Sequence, residues 1–199
     1  MEWSVVIAMA VYSLVLTLTP GPNNTALLAV AGRFGFRATI PYLWGMVVGL
    51  GVLLTVMAFG LGALLELYPL GFLVMKYVAF AFVIYLAWKT LGVGKPSDSR
   101  GSEQPITLWQ AANFQLINPK AWIATGTLIA AYVPEDSTAT GFLIAGLVFI
   151  VATMPGAMLW AAAGGAVSFL LSGSRAHRIF SIVMAAALVA TMVPVLMMG

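Results

Sequence analysis

The sequence predicts an all-α integral membrane protein of six transmembrane helices, arranged as a 3+3 inverted repeat with helices 1 and 4 broken. Three observations carry this prediction. Only 8% of the 199 residues are charged and 62% are hydrophobic, whereas a soluble domain carries roughly 25% charged residues. The few charges separate six apolar runs, each long enough for one crossing of about 20 residues. Helix breakers lie inside the first run of each half of the chain.

The runs fix the spans in order. Trp3 to Gly32 is 30 residues without a charge, and Ala38 to Leu65 is 28. Leu67 to Trp88 is 22 residues interrupted only by Lys76, and Gln104 to Pro134 is 31 interrupted only by Lys120. Ser137 to Ser174 is 38 residues and Ile179 to Gly199 is 21. The predicted spans are 4–31, 41–64, 70–90, 108–131, 140–163 and 179–197. A membrane β-barrel is not expected, because its strands alternate apolar and polar residues, and Leu143 to Val151 does not alternate. The start, Met1–Glu2–Trp3, has no basic region of the kind that opens a cleaved signal peptide, so none is expected.

Composition removes several classes of function. A mean hydropathy of +1.03 argues against a soluble enzyme, a disordered chain and a nucleic-acid binder. The net charge of +3 is too small to signal a polyanion partner. Cys is absent and His occurs once, so no disulfide framework, thiolate metal site or His-rich metal centre is expected.

Basic residues set the orientation. Arg33 and Arg37 follow span one, Lys89, Lys95 and Arg100 follow span three, and Arg175 and Arg178 precede span six. The opposite loops carry Glu66, Glu135 and Asp136 without Lys or Arg. The basic side is therefore expected to be cytoplasmic, with both termini periplasmic or extracellular. Trp3, Tyr42, Trp44, Tyr68, Trp88, Trp109 and Tyr132 are expected at the membrane interfaces.

Residues 92–107 form the one substantial polar segment and read as a linker. They divide a single membrane domain, 1–199, into a first half of about 1–91 and a second of about 108–199. Three spans per half force the halves into opposite orientations, as in many secondary transporters.

The breaks are Thr19–Pro20–Gly21–Pro22–Asn23–Asn24 and Asn118–Pro119–Lys120–Ala121–Trp122. A proline inside a helix removes a donor and crowds the carbonyl four residues back. Pro20, Pro22 and Pro119 should release the carbonyls of Leu16, Leu18 and Gln115. Such groups survive at membrane depth only against protein, water or a ligand. A kink alone explains one proline; two breaks of similar chemistry in matching spans favour a lined cavity. Asn118 before Pro119 is a helix-start pair, and Asn23 or Asn24 is expected to cap the helix that follows the first break. Two half-helix N-termini suit a carboxylate, and the released carbonyls suit an ammonium group. Together they match a zwitterionic amino acid.

Lys120 has two readings: it snorkels or caps neighbouring carbonyls, or it contacts a substrate carboxylate. Lys76 is expected to snorkel to the interface. Glu66 and His177 read as solvated loop residues, with Glu66 the nearest acidic candidate for carrying a proton. Gly45, Gly49, Gly60 and Gly62, and Ala157, Ala161, Gly164 and Gly165, read as close-packing surfaces. The 11 Met residues read as adaptable core filling.

The paired motifs Thr19–Pro20–Gly21–Pro22–Asn23 and Asn118–Pro119–Lys120–Ala121 resemble the signature of the LysE/RhtB family of amino-acid exporters. Gly35–Phe36–Arg37, Gly45–Met46 and Tyr85–Leu86–Ala87–Trp88–Lys89 match as well, and the resemblance covers essentially the whole chain. It implies export of small amino acids or their derivatives across the bacterial inner membrane, driven by the proton gradient. Carried over by position, it makes Pro20, Gly21, Pro22, Asn23, Asn118, Pro119 and Lys120 the substrate and gating region. Asn24 is similar to the doubled Asn of the cysteine/O-acetylserine branch, while Asn118–Pro119–Lys120 looks more like the lysine and homoserine/threonine branches. With no buried Asp or Glu standing out in a span, a neutral substrate is favoured over a cationic one.

The expected partners are therefore an amino acid, a proton and the lipid bilayer, with a homodimer left open, no nucleic acid and no cofactor. An enzyme is not expected: no paired aspartates, Ser/His pair or zinc site occurs in the spans, and the phosphate-binding Gly-x-x-x-x-Gly-Lys-Ser/Thr is absent. The alternatives are an exporter of another small solute and a membrane scaffold without transport.

Overall fold

The structure is a computed structural model that describes residues 2–59, 69–91, 104–134, 137–170, 174–193 and 197. All regular structure among them is helical. Eight α-helices are described: α1 (Trp3–Leu18), α2 (Pro22–Phe34), α3 (Ile40–Ala58), α4 (Pro69–Leu91), α5 (Leu108–Ile117), α6 (Pro119–Tyr132), α7 (Ala139–Leu170) and α8 (Ser174–Ala190). A short 3-10 turn, Phe36–Thr39, joins α2 to α3. Gly35 begins that turn at φ 83°, a left-handed conformation that glycine adopts without strain.

Helix accounts for most of the described residues in each predicted span. Phe36–Ala58 and Ala139–Val167 are long and apolar enough to cross a membrane, and α1 with α2 makes a third candidate as one span bent by 58°. Several boundaries differ from expectation: α3 ends at Ala58 rather than near 64, and the last helix at Ala190 rather than 197. The fifth helix runs to Leu170 rather than ending near 163, and the sixth begins at Ser174 rather than 179. The first extension adds Gly164 to Leu170, small and apolar residues of the same charge-free run, and the second adds Ser174 to Arg178, a polar and basic stretch with no apolar signal. Glu66, Gly60, Gly62 and residues 92–103 of the expected linker lie outside the described residues, as do the side chains of Lys76 and His177.

Packing crosses the two halves of the chain. Helices α1 and α2 lie along α7, α5 lies along α3, and α4 packs on α8. The predicted glycine rows explain how closely these helices approach. A Cβ on Gly49 would stand 2.5 Å from the Gln115 Cβ and 2.8 Å from the Ala112 carbonyl oxygen, and one on Gly45 would strike the Leu108 carbonyl. On α7, a Cβ on Gly164 would strike the Leu28 carbonyl, and one on Gly156 would come within 2.8 Å of the Thr17 side chain. Between membrane helices, apolar burial gives little net drive, so this close van der Waals contact carries much of the association.

Two apolar clusters result. One gathers Leu27, Tyr42, Met46, Val83, Phe114, Ala161 and Leu188. The other gathers Met9, Leu50, Leu54, Leu128, Ala145 and Phe149. Outward faces are also apolar, with Ile7, Val11, Leu143, Leu147 and Val151 exposed as lipid contact requires. Of the aromatic residues expected at the interfaces, Trp3, Trp44, Trp88 and Trp109 are largely exposed. Tyr42 is a correction: it is fully buried. The Gly45–Gly49 row draws α5 over this part of α3, and the Tyr42 hydroxyl turns inward to a polar partner.

Candidate functional site

The first break follows the proline chemistry. Helix α1 ends at Leu18, and the Thr19 N–H closes its last turn on the Val15 carbonyl at 3.1 Å. Gly21 is extended, and Pro22 opens α2. Expectation is corrected at the cap. Gly21, not Asn23 or Asn24, is the N-cap of α2, and neither Asn caps it because both side chains are engaged elsewhere.

The second break matches expectation more closely. Asn118 caps α6 by accepting the Lys120 N–H at 3.1 Å, and Pro119 takes the first helical position. The Gln115 carbonyl is not left open, however: it accepts the Asn118 N–H at 3.3 Å. The Trp122 indole N–H donates to the Leu116 carbonyl at 2.6 Å. Upstream, Thr107 and Gln110 form a reciprocal capping box that starts α5.

The carbonyls at the end of α1 are satisfied from across the fold. Lys120 Nζ donates to the carbonyls of Leu16 at 3.3 Å, Thr19 at 3.0 Å and Pro20 at 3.3 Å. Asn24 Nδ2 donates to Thr17 at 2.5 Å and Thr19 at 2.9 Å. The Trp160 indole, from α7, also donates to Thr17 at 3.1 Å. Lys120 thus caps main-chain carbonyls here. The magnitudes agree. A lysine at the bilayer centre costs about 2.5–3.5 kcal/mol, and three hydrogen bonds from a charged donor contribute roughly 1.5–3 kcal/mol each. The negative end of the α1 dipole adds to them.

A second polar chain runs through the core. The Tyr42 hydroxyl of α3 donates to Asn23 Oδ1 at 2.7 Å, and Asn23 Nδ2 donates to Gln115 Oε1 of α5 at 2.6 Å. All three residues are buried. No buried side-chain nitrogen or oxygen lacks a partner among the described residues.

These groups surround a cavity of about 60 Å³, where the two apolar clusters meet. Its polar lining includes Thr17, Asn23, Asn24, Gln115, Asn118, Lys120 and Thr153, its apolar lining Met46, Leu50, Ala124 and Phe149. Space of this size admits a few water molecules. Among the residues predicted for the site, Gly21, Asn23, Asn24, Asn118 and Lys120 line the cavity. Pro20, Pro22 and Pro119 do not; they end or begin the half-helices, and Pro20 presents its carbonyl to Lys120. Tyr42, Gln115, Thr17, Thr153 and Trp160 were not anticipated. Gln115 alone left a trace, as an amide three residues before Asn118 in an otherwise apolar run. No carboxylate lines the cavity, and no cluster of three His, Cys, Asp or Glu occurs among the described residues.

Apolar helices of membrane-crossing length around a polar-lined cavity fit a membrane transport protein. The chain belongs to the LysE type translocator family, whose model matches residues 14–199. It is 30% identical to the cysteine/O-acetylserine efflux protein of Salmonella typhimurium over 155 residues, which cover 77% of this chain and 78% of that one. It is 28% identical to the protein of the same name from Klebsiella pneumoniae over 158 residues, 79% of this chain and 80% of the relative. The Escherichia coli O9:H4 protein of that name is 28% identical over 156 residues, 77% and 78% of the two chains. No solved structure matches the chain significantly.

Proposed function

We propose that this protein exports a small neutral amino acid or derivative, of the size of cysteine or O-acetylserine, across the bacterial inner membrane by alternating access. The observation that carries this proposal is the cavity where the two broken helices meet. It offers amide and hydroxyl groups, main-chain carbonyls and one ammonium group, with no carboxylate to hold a cationic side chain. Its small volume favours a small substrate, and the relatives' names point to the same size class. Pro20, Gly21, Pro22, Asn23, Asn24, Asn118, Pro119 and Lys120 are the proposed binding and gating residues.

The proposal includes six spans in a 3+3 inverted repeat. Its support is a reciprocal pattern: span one lies on span five, span four lies on span two, and spans three and six pair with each other. It also places both termini on the periplasmic side. The tilted ring pair of Tyr12 and Tyr132, 5.8 Å between centroids, sets the middle of α1 beside the end of α6, and the basic residues that follow spans one and three support the side. Coupling to the proton gradient is part of the proposal and rests on the resemblance.

The test is overexpression in a bacterial host with amino acids in the medium quantified by mass spectrometry. A selective rise in one or a few small neutral amino acids is expected, and Asn23→Ala should abolish it. No rise for any amino acid, with the protein in the membrane, would leave a scaffold or another solute instead.

A further inference from the structure

The ammonium of Lys120 sits where an amino-acid substrate would place its own. Three main-chain carbonyls, from Leu16, Thr19 and Pro20, receive it at 3.0–3.3 Å. An ammonium has three donors and no acceptor, so this seat uses its full capacity. Pro20 has no N–H to offer the Leu16 carbonyl, which keeps the seat open by covalent structure. Gly21 keeps it accessible: a Cβ there would stand 3.0 Å from Lys120 Nζ and 3.1 Å from Cδ.

We propose that these three carbonyls are the ammonium subsite for the transported amino acid, and that Lys120 is its resident occupant between transport cycles. The inference rests on the export assignment above. An incoming α-ammonium takes the seat, and the displaced ε-ammonium pairs with the substrate carboxylate. The two groups have the same charge and donor number, so the seat does not distinguish them. The cavity lining has no carboxylate to receive a displaced lysine, and the substrate supplies one. A zwitterion adds no net charge, so the exchange buries no additional charge in a membrane, where burial is costly. The backbone of Lys120 is held by the Asn118 cap, while its four-carbon stem is flexible enough to swing. Release of the substrate returns Lys120 to the seat and ties α6 to the end of α1.

The exchange makes both ends of the substrate necessary. An alkylammonium without a carboxylate must evict Lys120 and offers it no partner. The test is calorimetric titration of purified wild-type protein, Lys120→Met and Lys120→Ala with n-propylammonium chloride, O-acetyl-L-serine and n-propanol. Wild type should bind O-acetylserine and bind propylammonium poorly. Lys120→Met vacates the seat, and propylammonium should then bind about tenfold tighter or better, with no gain for propanol. Lys120→Ala vacates the seat as well and should give a gain of the same sign. A gain of binding cannot come from misfolding. Absence of any gain in whichever of these variants retains the wild-type melting profile would overturn the exchange. Wild-type protein that binds no amino acid, beside a variant that gains propylammonium, would overturn the export assignment and leave the ammonium seat standing.

Discussion

Asn23 and Gln115 are joined by a 2.6 Å hydrogen bond although 92 residues separate them. The bond ties the start of α2 to the last turn of α5, just before the second break. The Tyr42 hydroxyl completes the chain on the other side of Asn23. The two broken spans thus share this buried polar link besides the ammonium of Lys120 and the Tyr12 hydroxyl, which donates to the Ala124 carbonyl at 3.1 Å.

Replacing Asn23 with Ala strands the Tyr42 hydroxyl and the Gln115 amide oxygen in a buried site. Each stranded group costs about 1–3 kcal/mol. Asn23→Ala should therefore lower the melting temperature in detergent and abolish export while membrane insertion persists. Tyr42→Phe keeps the ring and removes only one donor, so it should cost less, about 1 kcal/mol. Melting curves of both variants and the double variant check this. Fully additive losses would mean that the chain does not act as one unit.

Gly49 faces α5 at a distance no side chain tolerates, whereas Gly51 on the same helix has nothing within 4 Å of its Cβ position. Gly49→Ala should destabilise by about 1–3 kcal/mol through overpacking. Gly51→Ala should be neutral or slightly stabilising, since Ala favours a helix by up to about 1 kcal/mol over Gly. Equal melting temperatures for the two variants would contradict the close α3–α5 contact.

The Asn118 side chain holds the first turn of α6, from which Lys120 projects. Asn118→Ala should cost about 1 kcal/mol and Asn118→Ser or Asn118→Asp less, because these retain an acceptor for the cap. Export should fall in Asn118→Ala beyond what reduced protein in the membrane explains. Flux normalised to membrane content separates the two contributions.

The chain has no Cys, so a single introduced thiol reports one position without background. Trp3→Cys should react with a membrane-impermeant maleimide in intact cells. Arg37→Cys, at the exposed turn after α2, should react only after permeabilisation. The reverse pattern would invert the proposed topology.

What the sequence made legible was local. Pro20 with Pro22, and Asn118 with Pro119, marked both breaks because proline acts on its own backbone. Yet Pro155 lies inside α7 and the helix continues through it, so a proline ends a span only with companions such as Gly21 or a capping Asn. The glycine rows were legible as packing surfaces but not their partners. Long-range contacts were not legible. Tyr42 has an interfacial composition and position, and only the approach of α5 and α2 draws it into the core. Asn23 and Asn24 have the chemistry of caps, but tertiary partners claimed both side chains. Lys120 could have faced a ligand or the protein, and sequence spacing carries no information about carbonyls 100 residues away.

The crossing of the broken helices has a consequence for how such a chain can be assembled. Helices α1 and α2 rest on α7 of the other half, and α5 rests on α3. Neither half contains the glycine-faced groove that its own broken helix occupies. A half made alone would display a fractured, polar-centred helix to lipid with nowhere to lay it. Each half is in this sense the obligate chaperone of the other. In the proposed 3+3 arrangement, the first three spans would leave an unfinished product that waits for the fifth, and a single half would pack only as a mutually swapped pair.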